Sequence, residues 1–214
     1  MRIREAMSMY MAGNLVHDTA YQFGVYNGDS LLDIKNIFRI KKHPLNNLFG
    51  FDSFVGFPEN NECKDGAWAT GTLSSCEHFG SDGIDECVKS VYNKIKPQLN
   101  EETKLELIPG FFSDVCNKEL VQKHNMGPAG YIDIDCDLYA STVDVLEFVI
   151  QNGIMVPGTY LFYDDWGGTE GWKDGLDGES RAHKEIMSKY NINALLIGQV
   201  GDSFPHVQRL YVVI

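Results

Sequence analysis

The sequence predicts an α/β fold: a single doubly wound, Rossmann-like domain of about seven strands, mostly parallel, with an antiparallel hairpin at its C-terminal end. Three observations predict it. Apolar β-rich runs alternate with helix-period runs almost from end to end. Successive strands are separated by enough chain for a crossover helix, which makes neighbouring strands parallel. The last two strands break this rule, because Gly201–Val207 with Pro205 is too short for a helical crossover and forces them to pair antiparallel.

Taken in order, the predicted strands are Thr19–Tyr26, Asn47–Phe54, Lys104–Phe112, Gly130–Asp135, Thr159–Asp165, Ala194–Val200 and Gln208–Ile214. Leu31, Ile34 and Phe38 recur at helical spacing after the first strand. Val88, Val91, Tyr92 and Ile95 do so before the third; Val143, Leu146, Val149 and Ile150 follow the fourth. Ala182, Ile186 and Tyr190 mark the last crossover helix. The stretch Pro58–Asp82 has no such pattern but carries several glycines with Trp68 and Phe79. An unpatterned stretch that long in a compact domain reads as a mobile lid or substrate loop.

Composition bounds the function. The chain has 214 residues, 43% hydrophobic and 22% charged, an ordinary globular balance with room for one domain over 1–214 and a sizeable core. Its net charge of −12 disfavours nucleic-acid phosphates and anionic lipid as partners. No apolar run is long enough to span a membrane, and Met1 to Asn14 lack the features of a signal peptide, so a cytoplasmic location is expected. Cys63, Cys76, Cys87, Cys116 and Cys136 have irregular spacing and no CxxC pair, and are read as reduced thiols.

Ligands of an open α/β sheet bind beyond the carboxyl ends of its strands. After the first strand comes Gln22-Phe23-Gly24-Val25-Tyr26-Asn27-Gly28-Asp29-Ser30. Its glycines allow a tight turn and close ligand approach, and free amides at the next helix start favour an anionic group, with Ser30 as an N-cap on the plainer reading. After the second strand comes Asp52, about two dozen residues further on, where a carboxylate grips ribose hydroxyls. Glycine turn and acid together point to an adenosine-containing cofactor. After the fourth strand, alternation puts Asp133, Asp135 and Asp137 on one side, about 7 Å apart. Asp164 and Asp165 end the neighbouring fifth strand. Crowded carboxylates need a compensating cation, and an oxygen-only cluster suits Mg2+.

These pieces resemble the macrocin O-methyltransferase family of class I S-adenosylmethionine-dependent methyltransferases. The resemblance rests on Gly24-Val25-Tyr26-Asn27-Gly28-Asp29-Ser30, Phe51-Asp52-Ser53-Phe54-Val55-Gly56-Phe57-Pro58-Glu59, Ile134-Asp135-Cys136-Asp137-Leu138-Tyr139-Ala140-Ser141-Thr142 and Pro157-Gly158 followed by Asp164-Asp165. It implies a Mg2+-assisted transfer of methyl from S-adenosylmethionine to a hydroxyl of a sugar, in a glycoside, glycan or nucleotide-sugar. Gln22, Gly24, Tyr26, Asn27, Gly28 and Ser30 would then border the methionine end of the cofactor, and Asp52, Ser53 and Phe54 the ribose. Phe111, Phe112 and Asp114 would border the adenine. Asp135, Asp164 and Asp165 would hold the metal, with Asp137 or Asp135 as the base.

Two departures stand out. Gln22 replaces the Glu common in the family, and the stretch before the first strand is short, so a homo-oligomer or a fusion to other glycan-processing domains would supply missing elements. The alternatives are a nucleotide-sugar glycosyltransferase using Asp133-Ile134-Asp135 or Asp135-Cys136-Asp137 as an Asp-x-Asp metal motif, and a non-catalytic binding module of the same fold.

Overall fold

All seven expected strands form, most of them shorter than their apolar runs. They are β1 (Thr19–Phe23), β2 (Asn47–Asp52), β3 (Lys104–Pro109), β4 (Tyr131–Ile134), β5 (Tyr160–Tyr163), β6 (Ala194–Val200) and β7 (Gln208–Val213). The computed structural model describes residues 2–59, 66, 68–167, 178–201 and 207–214. The strands make one sheet in the order β3-β2-β1-β4-β5-β7-β6. Every pairing is parallel except those of β7, which runs antiparallel to both β5 and β6. The expected antiparallel pair is therefore present, with β7 inserted inside β6; the middle of its connection, including Pro205, lies outside the described residues. Register is set by aromatic pairs: Tyr21 faces Phe49 and Phe23 faces Phe51, with stacked rings 5.0 and 4.6 Å apart.

Eight helices accompany the sheet among the described residues: α1 (Ile3–Met7), α2 (Asp29–Ile40), α3 (Ser75–Phe79), α4 (Ile84–Ile95), α5 (Phe112–Val115), α6 (Lys118–His124), α7 (Tyr139–Gln151) and α8 (Glu179–Lys189). The period of two along each strand sorts the core into two layers. Tyr21, Phe23, Leu161 and Tyr163 pack on one face with Leu146 and Val149 of α7 and Ala182 and Ile186 of α8. Ala20 and Phe162 pack on the other with Met7 of α1, Ile34 and Phe38 of α2 and Val91 and Ile95 of α4. The predicted helical stripes thus mark buried faces, except that Tyr92 is exposed and Cys87 completes the α4 stripe. Cys76, Cys87, Cys116 and Cys136 are free thiols, and Cys63 lies outside the described residues. No described helix is long and apolar enough to cross a membrane.

The strands stop short because their last residues turn away at the ligand-binding edge. Gly24 has φ 94°, and a Cβ there would stand 1.9 Å from the carbonyl oxygen of Asp135, so only glycine lets the turn after β1 touch the end of β4. Tyr26 (φ 47°) and Phe54 (φ 61°) adopt left-handed backbone where their runs had suggested strand. Ser30 is not an N-cap: Gly28 occupies that position of α2, and Ser30 lies within the first turn. The Pro58–Asp82 stretch contains α3, capped by Ser74, whose hydroxyl accepts the N–H of Glu77. Its described part is tied down, with Ser75 Oγ donating to the Tyr26 carbonyl and Cys76 N to that of Phe54. Residues 60–65 and 67 of that stretch lie outside the described residues.

Candidate active site

The strand order reverses between β1 and β4, and the ends of these strands frame two cavities that share Tyr26 and Asp135. The first, about 280 Å3, is lined by Gly24, Asp52, Ser53, Phe111, Phe112 and Asp137. The second, about 570 Å3, opens between Arg2, Arg4, Asn27, Ser30, Asp164 and Gln208.

In the first cavity Asp52 organises the glycine turn. One carboxylate oxygen accepts the N–H groups of Val25 and Tyr26, each at 2.8 Å, and the other accepts that of Phe54 at 2.6 Å. Burial pushes its pKa up and these three donors pull it back. A carboxylate has about four acceptor positions, so one remains for a ligand hydroxyl. Gln22 is fully buried below the turn. Its amide nitrogen donates to the Gly24 carbonyl at 2.9 Å and to Ser30 Oγ, while its Oε1 has no hydrogen-bond partner among the described residues. Phe54 is fully buried, and Gly28 packs against Val91 and Ile95, so both support the turn.

The acid centre lies at the ends of β4 and β5. Asp135, Asp137 and Asp165 each offer an oxygen, all within 4.8 Å of one another. Asp137 takes left-handed backbone (φ 59°) and accepts the Trp68 indole N–H at 2.5 Å; its carboxyl also hydrogen-bonds that of Asp165. Burial first, and then repulsion among the carboxyls, pushes Asp137 up to about 7 and Asp165 to about 9. Such a cluster holds protons until a cation replaces them.

Asp133 stands apart. It is fully buried in a two-pronged ion pair with Arg4 of α1, Nε to Oδ2 at 2.9 Å and Nη2 to Oδ1 at 3.2 Å. It is therefore not free to pair with Asp135 in an Asp-x-Asp metal motif. Arg4 also reaches Asp135 Oδ2 at 2.8 Å and Asp164 Oδ1 at 3.4 Å. Asp164 lies outside the set of three converging acids.

The structure brings Gly24, Tyr26, Asp52, Ser53, Phe111, Phe112, Asp135 and Asp137 to the first cavity, whereas Asn27, Ser30 and Asp164 face the second. Asp114 is exposed in α5 and lines neither. Three side chains had no signal in the sequence pattern: Arg4, Trp68 as a hydrogen-bond donor, and Glu179. Glu179 is fully buried at the start of α8 and accepts the N–H groups of Cys136 and Asp165, each at 3.0 Å, which binds the two acid-bearing loops together.

A sheet in this order, with a glycine turn after β1 and an acid closing β2 at the switch point, defines a Rossmann-like domain of the methyltransferase type. Solved structures of that type share it. The O-methyltransferase NovP superposes with a TM-score of 0.61 at 20% identity, covering 98% of this chain and 77% of that one. The calicheamicin methyltransferase CalS11 gives 0.57 at 17%, covering 96% and 75%. The Podospora anserina methyltransferase PaMTH1, bound to S-adenosylhomocysteine, gives 0.50 at 12%, covering 92% and 72%. No curated protein matches in sequence. The model of the macrocin-O-methyltransferase (TylF) family matches residues 2–192, so the chain belongs to that family. It is an S-adenosylmethionine-dependent O-methyltransferase by membership.

Proposed function

We propose that the protein transfers methyl from S-adenosylmethionine to a hydroxyl of a sugar with the assistance of Mg2+. The observation that carries the metal part is the convergence of Asp135, Asp137 and Asp165 within 4.8 Å, the first two of which line the first cavity. The donor set is all carboxylate oxygen, which fits Mg2+ and not a thiolate-seeking metal. The cofactor fits the first cavity: Asp52 has an acceptor position left for a ribose hydroxyl, and Gly24, Phe111 and Phe112 line the same space. The sugar acceptor rests on the family and on the sequence-remote neighbour CalS11, described as a TDP-rhamnose 3'-O-methyltransferase.

The bound groups supply a methyl on a sulfonium and a Lewis acid beside the accepting hydroxyl. The chain's own residues do the rest. Asp135 and Asp165 would hold the cation, joined by Asp164, which lines the second cavity half-buried, with one oxygen 3.4 Å from Arg4. Asp137 takes the proton, with its Oδ1 held by the Trp68 indole N–H. The two cavities share Tyr26 and Asp135, which supports a reading with the cofactor in one and the acceptor beside it; holding the two at contact distance supplies much of the acceleration of an in-line displacement.

The test is methyl transfer from labelled S-adenosylmethionine to a panel of sugars and glycosides, with Mg2+ and with excess EDTA. Transfer to a sugar hydroxyl that EDTA abolishes and Mg2+ restores is expected. Full transfer in EDTA removes the metal from the mechanism, and transfer only to a non-sugar diol removes the sugar.

A further inference from the structure

Arg4 is a basic residue of the first helix, far from the acids in sequence, yet its side chain is only 13% exposed and its guanidinium lies among Asp133, Asp135 and Asp164. It is held from three sides. Asp133 grips it through two nitrogens, at 2.9 and 3.2 Å. Asp135 accepts from Nη2 at 2.8 Å, and Asp164 lies 3.4 Å from Nη1. The Phe162 ring lies beneath, 5.0 Å from the guanidinium carbon. The helix that carries Arg4 is itself docked: its Met7, and Met11 just beyond it, are buried in the core, and Glu5 Oε1 accepts from Asn36 Nδ2 of α2 at 2.6 Å.

Only one carboxylate oxygen of Asp135 touches Arg4, and the residue still contributes an oxygen to the converging trio. The fork thus fixes the rotamer of a residue that the metal reading uses. From this geometry we infer that Arg4 is a positioning residue of the acid centre: Asp133 anchors the guanidinium, and the guanidinium presents Asp135 and Asp164 to the cation. The inference rests on the Mg2+ reading above. A side chain that orients metal ligands typically carries 10–100-fold in metal affinity, and the planar fork cannot be reproduced by an ammonium.

The test measures Mn2+ binding by electron paramagnetic resonance and calorimetry, and S-adenosylhomocysteine binding in parallel, on the full chain. Arg4→Lys keeps the charge and loses the fork; it should weaken Mn2+ binding by about 10–100-fold and leave the cofactor product's affinity within about threefold, the scatter expected of an uncoupled site. Arg4→Met combined with Asp133→Leu removes both buried charges together and guards against a misfolded single variant. It should also weaken Mn2+ binding, whereas a mere loss of repulsion would strengthen it. Unchanged or tighter Mn2+ binding in either folded variant overturns the inference and leaves Arg4 as the counter-ion of Asp133. A wild type that binds S-adenosylhomocysteine but no Mn2+ overturns the metal reading itself, and the inference with it.

Discussion

Asp137 carries three constraints at once: left-handed backbone, near-complete burial and an indole donor on one oxygen. Strain of that kind persists only where surroundings enforce it, and it collects at functional sites. Asp137→Asn suits the test because asparagine tolerates the same backbone and accepts the same indole N–H. Turnover at saturating Mg2+ should fall by about 100-fold or more, the usual weight of a general base, while S-adenosylhomocysteine still binds. Asp164→Asn should instead weaken Mn2+ binding and be rescued by more cation. Turnover at saturating Mg2+ and titration of each variant check the division; wild-type turnover in Asp137→Asn ends its role as base. The acids themselves were legible in the sequence, because they end two adjacent strands and alternate in the way strands require. Their partners were not. Arg4 reaches Asp133 across 129 residues, Trp68 reaches Asp137 across 69, and Glu179 reaches Cys136 across 43. No local pattern encodes a contact that only the folded sheet creates.

At the scale of elements, strands were legible where an apolar run and β-pairing coincide, and their ends were not where the chain keeps apolar residues for the cavity wall. Phe111 and Phe112 continue the hydrophobic run of β3 but line the first cavity. Helix α3 escaped because five residues give no period to read. Helix α8 was legible by its stripe, yet one residue on its buried face is a histidine. His183 lies against Tyr163, Trp166 and Tyr211, and its Nδ1 meets the Tyr163 hydroxyl at 2.9 Å. Burial, and then the charge of Arg209, lower its pKa from 6.5 to about 4. The unfolded chain takes up the proton near pH 6.5 and the folded one only near pH 4, so the stability that neutral His183 supplies is complete above pH 6.5 and is lost as pH falls toward 4. The buried carboxyls have raised pKa values and act in the opposite direction, so wild type alone does not isolate this effect. Denaturant unfolding of wild type and His183→Gln at pH 7 and 4.5 does. The stability gap between them should shift by about 2–3 kcal/mol in favour of the variant at the lower pH. A gap independent of pH shows that the histidine titrates normally.

Across the whole molecule, the ligand-binding edge of one sheet supports two chemistries that are joined at Tyr26 and Asp135 and are otherwise built from different residues. The turn assigned to the cofactor is fixed by Asp52, Gln22 and Gly28, which rest on β2, β1 and α4. The acid centre is fixed by Arg4, Trp68 and Glu179, which rest on α1, the loop before α3 and α8. Neither core layer is built from the acids of that centre. The fold should therefore survive chelation, with the melting temperature lowered by no more than the cation's own binding to the native state accounts for. Cofactor and cation should also bind nearly independently, because coupling between sites requires a shared element with two arrangements, and Gly24 meets Asp135 through backbone that the glycine already holds in contact. The net charge of −12 draws cations to the surface in general, so the comparison belongs at about 0.15 M salt, where the screening length is about 8 Å. Calorimetric titration of S-adenosylhomocysteine with saturating Mg2+ and with EDTA should give dissociation constants within about threefold of each other. A tenfold tightening by Mg2+ amounts to about 1.4 kcal/mol of coupling. That result would mean that Asp135 carries the cation's field or a change of rotamer into the cofactor cleft, and the two halves of the edge would then be one site.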